Sequence, residues 1–92
     1  VEYEITYDIL FERGIGKHRK SGNRPVLAKI NTLLNELREH PKSGTGRPEQ
    51  LKHGRNGQWS RRINGVHRLV YTIDEEGAKV TATSCFGHYD DR

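Results

Sequence analysis

One apolar stripe limits what this chain can become. Val26, Leu27, Ile30, Leu33, Leu34 and Leu37 recur at intervals of three and four, the period of a helix with a single apolar face. Asn23 is placed to cap that helix, Pro25 falls in its opening turn where a missing N–H does no harm, and Pro41 ends it near His40. Arg38 and His40 suit the negative end of the helix dipole. A stripe of this kind must be covered by apolar surface, and most of what the chain offers is in short alternating segments.

The first of these segments is residues 2–7, where Tyr3, Ile5 and Tyr7 alternate with Glu2, Glu4 and Thr6, as in a half-buried strand. Asp8 then caps a first helix carrying Ile9, Leu10, Arg13, Lys17 and Lys20. Gly14 and Gly16 weaken it, and it closes near Ser21 and Gly22. After the leucine helix, residues 42–48 are rich in Gly, Ser and Pro and form a loop. Its G-T-G follows a helix and lacks the G-K-[ST] ending of a nucleotide loop, so it simply turns the chain.

Three more strands follow. Residues 58–64 place Trp59, Arg61 and Ile63 on one face and Ser60 and Arg62 on the other, and Asn64-Gly65 marks a hairpin. Residues 67–73 are apolar on both faces at Leu69, Val70, Tyr71 and Ile73, which predicts a central strand. After a turn at 74–77, residues 78–86 alternate Val80, Ala82, Ser84 and Phe86 with Thr81, Thr83 and Cys85. The expected fold is therefore α+β, with an N-terminal strand and two helices packed on one face of an antiparallel sheet. A C-terminal three-stranded meander completes that sheet, leaving its other face open.

Ninety-two residues, 32% of them apolar, make one domain with a thin core, and a binding partner is expected to help stabilise it. The single cysteine, Cys85, excludes an internal disulfide and suits a reducing compartment. No apolar run approaches the roughly 20 residues of a membrane span, and there is no signal-peptide core, so the cytosol is the expected location.

Charge is concentrated in the middle of the chain. Between Pro41 and Ile73 seven cations face one carboxylate, a balance of +6 that leaves −2 for the remainder. From Gly46 to Tyr71, Glu49 stands alone among Arg47, Lys52, Arg55, Arg61, Arg62 and Arg68, with His53 and His67 interleaved. Surface ion-pair patterning alternates sign; this segment is built to hold something anionic, and phosphate fits best.

RNA can be cut without metal if a base takes the 2′-hydroxyl proton, cations orient and stabilise the phosphate, and an acid protonates the leaving 5′-oxygen. Glu49 can serve as base, Arg68 as a planar phosphate clamp and His88 as acid. The surrounding cations favour ionised Glu49 while weakening it as a base.

Each residue also has a plainer reading. Glu49 can be a solvated loop charge, Arg61 and Arg62 guards against edge aggregation, Trp59 and Tyr71 core, and Tyr89 packing. Cys85-x-x-His88 lacks the ligands of a closed metal site, and Ser60 and Cys85 sit in no nucleophile motif, so neither metal nor cofactor is expected.

The run G-R-P-E-Q-L-K-H-G-R-N-G-Q-W-S-R-R-I-N-G-V-H-R-L-V-Y, followed by G-H-Y, resembles the YoeB/Txe branch of the RelE-like bacterial toxins. The resemblance is close over residues 44–89 and implies a RelE-like, microbial-RNase-like fold. It implies an endoribonuclease that cuts mRNA in the ribosomal A site, masked by a YefM-type antitoxin through which the complex reaches operator DNA; a homodimer is also compatible. By the same resemblance Glu49, Arg68 and His88 are catalytic, and Lys52, His53, Arg61, Arg62 and Tyr89 support RNA binding or the transition state. Two other readings use the same patch: a non-catalytic RNA- or ribosome-binding module, or a docking domain for an acidic protein.

Overall fold

The leucine stripe finds its cover in a sheet. In a computed structural model describing residues 2–51 and 57–87, the order is β1 (Glu4–Tyr7), α1 (Ile9–Lys20), α2 (Arg24–Leu37), β2 (Glu49–Gln50), β3 (Gln58–Arg62), β4 (Arg68–Asp74) and β5 (Lys79–Ser84). The five strands lie in the order β1-β5-β4-β3-β2, so the doubly apolar β4 is central, as its sequence predicts.

Helix α2 begins as expected, with the Asn23 side chain accepting from the Val26 N–H at 3.4 Å. It buries Val26, Ile30, Leu33 and Leu37, each contributing on the order of 1.5–3 kcal/mol. It closes at Leu37, earlier than His40, because the N–H groups of Glu39 and His40 both turn back to the Glu36 carbonyl ahead of Pro41.

Helix α1 is continuous through both glycines. A Cβ on Gly14 would stand 2.9 Å from Cys85 Sγ and 3.3 Å from Phe86 Cβ, so the missing side chain is what lets α1 lie against the end of β5. Its inward face is Phe11, Gly14 and His18, whereas Ile9 and Leu10 point outward, each 61% exposed. Asp8 occupies the cap position without a side-chain bond to the helix.

Beneath the helices lie Ile5, Ile63, Leu69, Tyr71, Val80 and Ala82, with Trp59 and Ile73 packed at the margin. The hairpin at Asn64 forms as read, its side chain accepting from the N–H groups of Val66 and His67 at 2.8 and 2.7 Å.

Three features depart from the alternation of the sequence. The sheet is mixed, since β1 runs parallel to β5 with Ile5 opposite Val80; no hairpin joins these strands, so no turn imposes the antiparallel direction. A two-residue strand, β2, is added beyond β3, too short to leave a periodic signal. Finally, Val70 pairs with Ser84 but Tyr71 with Ala82, which leaves Thr83 as an extra residue in β5. That bulge shifts the faces by one, turning Cys85 into the core and Phe86 out to 47% exposure.

Candidate active site

The sheet face away from the helices carries Glu49 of β2, Ser60 and Arg62 of β3 and Arg68 of β4. Glu49 is opposite Ser60, and Arg62 is opposite Arg68. Ser60 is fully buried, and its hydroxyl accepts from Arg68 Nε at 3.3 Å and Nη2 at 3.1 Å. The same Nη2 donates to Glu49 Oε1 at 2.9 Å. Arg68 is thus held from below by a buried hydroxyl and from the side by a carboxylate that is 62% exposed. An exposed pair of this kind contributes only about 0–1 kcal/mol to stability. Glu49 therefore lies within a hydrogen bond of a cation that can exchange it for a phosphate.

Glu49 is placed by the loop before it. Gly46 has φ +86°, and a Cβ there would meet the Arg62 carbonyl at 2.8 Å. Its own carbonyl accepts from Arg62 N at 2.7 Å, which brings the loop onto β3 three residues before Glu49. Arg62 itself is exposed on this face.

Arg61 is different: it is buried, so any support it lends to RNA binding or to the transition state is indirect. Its side chain points to the helix side of β3 and has no exposed surface. Nη1 donates to Glu36 Oε1 at 2.8 Å and to the Thr45 carbonyl at 3.3 Å; Nη2 donates to the carbonyls of Ser43, at 2.7 Å, and His40. Nε donates to the Tyr71 hydroxyl at 3.2 Å, which in turn donates to the Pro41 carbonyl at 2.7 Å. One guanidinium thereby fastens the loop that leads to Gly46. Alternation along β3 puts Arg61 and Arg62 on opposite faces, so two adjacent arginines do different work.

Burial acts to raise the Glu36 carboxyl, but bonds from the Thr45 hydroxyl and N–H and from Arg61 together hold it below its ordinary value. Burial pushes the Tyr71 hydroxyl up despite Arg61. It also pushes the Cys85 thiol up to about 11, which makes Cys85 a packing residue and a poor nucleophile.

At the other end of the face, Gly87 is fixed twice. Its N–H donates to His67 Nδ1 at 2.8 Å, and its carbonyl accepts from Arg68 N at 3.1 Å. The expected site residues Lys52, His53, His88 and Tyr89 lie outside the described residues. Among the described residues no group of three His, Cys, Asp or Glu could hold a metal ion, and no helix is long and apolar enough to cross a membrane.

A family model for the "YoeB-like toxin of bacterial type II toxin-antitoxin system" matches residues 14–89. The chain belongs to this family. Toxin YoeB of Escherichia coli K12 is 42% identical over 67 residues, which is 73% of this chain and 77% of that protein. Among solved structures, a YoeB/ParE toxin from Agrobacterium tumefaciens superposes with a TM-score of 0.85 at 29% identity, covering 94% of this chain and 99% of its own. Staphylococcus aureus YoeB, solved as a dimer, gives 0.82 at 34% identity over 97% of this chain and 100% of its own. In a heterotetrameric complex with YefM, the S. aureus protein gives 0.78 at the same identity and coverage.

The YoeB match contains Glu49, Ser60 and Arg68 together with the Arg61 anchor. Ser60 was missed as a site residue, although its alternation with Arg62 already put it on the open face. Nothing local pairs Glu36 or Tyr71 with Arg61, since those contacts join residues 25 and 10 positions apart.

Proposed function

We propose that this YoeB-family toxin is an endoribonuclease that cleaves mRNA, in the ribosomal A site, by metal-independent acid–base chemistry. The observation that carries the reading is the bridging of Glu49 and Ser60 by Arg68 on the cation-rich open face. A scissile phosphate taken up by Arg68 displaces the exposed Glu49 carboxylate from its guanidinium. Glu49 is then beside the ribose and able to take the 2′-hydroxyl proton, while Arg68 stabilises the added charge on phosphorus. His88, which follows the doubly fixed Gly87 directly in sequence, donates a proton to the leaving 5′-oxygen. Lys52, His53, Arg62 and Tyr89 hold the strand, and Arg61 acts from beneath by holding the loop.

The relative from S. aureus assembles with YefM, and an antitoxin of that type is the partner we assign here. It covers the open face, and its own DNA-binding part carries the complex to operator DNA. A toxin homodimer, as solved for S. aureus YoeB, and a cytoplasmic location complete the reading.

The test is inducible expression of wild type, Glu49→Ala and His88→Ala, with primer extension on cellular mRNA and on programmed ribosomes treated with protein first stripped with EDTA and then freed of the chelator. The wild type should give new 5′ ends, and the stripped protein should give them equally. His88→Ala should lose more than about a hundredfold in rate, within the usual general-acid contribution. Equal growth arrest by all three proteins without new ends would replace catalysis with RNA or ribosome binding alone.

A further inference from the structure

The bulge at Thr83 leaves an aromatic ring facing solvent beside the open face. The Phe86 ring rests on the imidazoles of His18, at 5.0 Å between centroids, and His67, at 4.8 Å. His18 is buried and bonded through Nε2 to the Cys85 carbonyl at 2.9 Å, so the ring has a rigid support. Lys17 Nζ lies 4.8 Å from the ring centroid, and Arg13 borders the same cleft, of about 270 Å³. Arg13 and Lys17 are four apart on α1 and project together. The next residue, Gly87, is hydrogen-bonded to the backbone of Arg68.

We propose that Phe86, Lys17 and Arg13 form a subsite for a nucleotide flanking the scissile phosphate, with its base stacked on Phe86 and its phosphate between the two cations. The subsite rests on the RNA-cleavage reading and extends it to single-stranded substrate. An immobilised, half-exposed ring presents a flat face at little entropic cost, and any base can use it. Stacking a base outweighs an exposed cation–π contact, so the arriving base displaces the Lys17 ammonium, which is then available to phosphate. The surface is continuous with Arg68 through Gly87, so one strand can occupy both.

Binding is measured by fluorescence anisotropy with the full chain and a non-cleavable 2′-O-methyl RNA strand, alone and as a duplex. Phe86→Leu should weaken binding of the single strand at least fivefold and leave the duplex unchanged, while Phe86→Trp should restore wild-type affinity. Lys17→Ala should reduce the slope of log Kd against log salt by about 0.7. Thermal melts of each variant confirm folding, and the Trp variant keeps the test open if Leu disturbs packing. Phe86→Leu binding the strand as wild type does, or Phe86→Trp as weak as Leu, would overturn the subsite. So would a loss confined to an acidic antitoxin peptide, or a wild type that binds no strand. Because binding is read without cleavage, a wild type that stacks the strand as described but cuts nothing removes the catalytic reading alone.

Discussion

Arg61 donates to Glu36 across 2.8 Å, from a guanidinium without exposed surface to a carboxylate 27% open to water. Arg61→Ala would strand the carbonyls of His40, Ser43 and Thr45 as well as the carboxylate. Partial hydration of Glu36 puts the cost at the lower end of that for breaking a buried pair, about 3 kcal/mol. Urea unfolding should show it. Arg61→Lys should recover only part, because an ammonium cannot reproduce the fork that spans five acceptors.

Glu36 also gives the fold a pH dependence of defined sign. Its carboxyl is held below the ordinary value in the folded state, so its contribution is fully present above that value and is lost as pH falls through the lower, folded one. The difference in urea midpoint between wild type and Glu36→Gln should be constant near neutrality. It should shrink on acidification below about pH 4.5, the ordinary carboxylate value. A gap that widens in acid would show the assigned sign to be wrong.

Gly14 and Gly16 should respond oppositely to alanine. At Gly14 the new methyl meets Cys85 Sγ at 2.9 Å, and overpacking of about 1–3 kcal/mol outweighs the gain of about 1 kcal/mol in helix propensity. At Gly16 nothing lies within 4 Å, so the substitution should stabilise by about 0.4–1 kcal/mol. Thermal unfolding of the two single variants decides the signs, and Cys85→Ala should rescue part of the Gly14→Ala loss.

Ser60 supports Arg68 from below without reaching the open surface. Removing its hydroxyl leaves Glu49 as the side chain that holds Arg68 among the described residues, so Ser60→Ala should lower kcat about tenfold, equivalent to about 1.4 kcal/mol of transition-state stabilisation. KM should change little, because the substrate still meets the cation. Single-turnover cleavage on programmed ribosomes separates the two parameters; an unchanged kcat in a less stable variant would assign Ser60 to packing alone.

Much of this was legible from residue order, for physical reasons that differ by element. The leucine helix carries its own period and cap, and β4 reveals its central place by being apolar on both faces. The open face with Ser60, Arg62 and Arg68 follows from alternation along two strands joined at Asn64. Local rules failed wherever a distant element decided the outcome. Gly14 reads as a helix breaker until Cys85 is found against it, 71 residues later.

The same failure accounts for the side taken by Phe86 and for the role taken by Arg61. Alternation puts Phe86 on the buried face, but the bulge at Thr83 reverses it, and a bulge is a property of two strands together. Alternation sets Arg61 beside Trp59 and Ile63, but a run of cations says nothing about which of them has carbonyls waiting beneath. Its burial became visible only when the loop at 40–45 was seen folded back over β3.

The parallel pairing of β1 with β5 gives the molecule an order of assembly. Thr6 and Thr81 touch through their hydroxyls at 2.8 Å although 75 positions separate them, so β1 must wait for β5 to be synthesised. Until β5 is made, β1 has no strand to pair with, α1 has no Cys85 to rest on, and nothing sets Gly87 beside Arg68. A chain cut short before β5 therefore lacks both the partner of its N-terminal strand and the segment that meets Arg68.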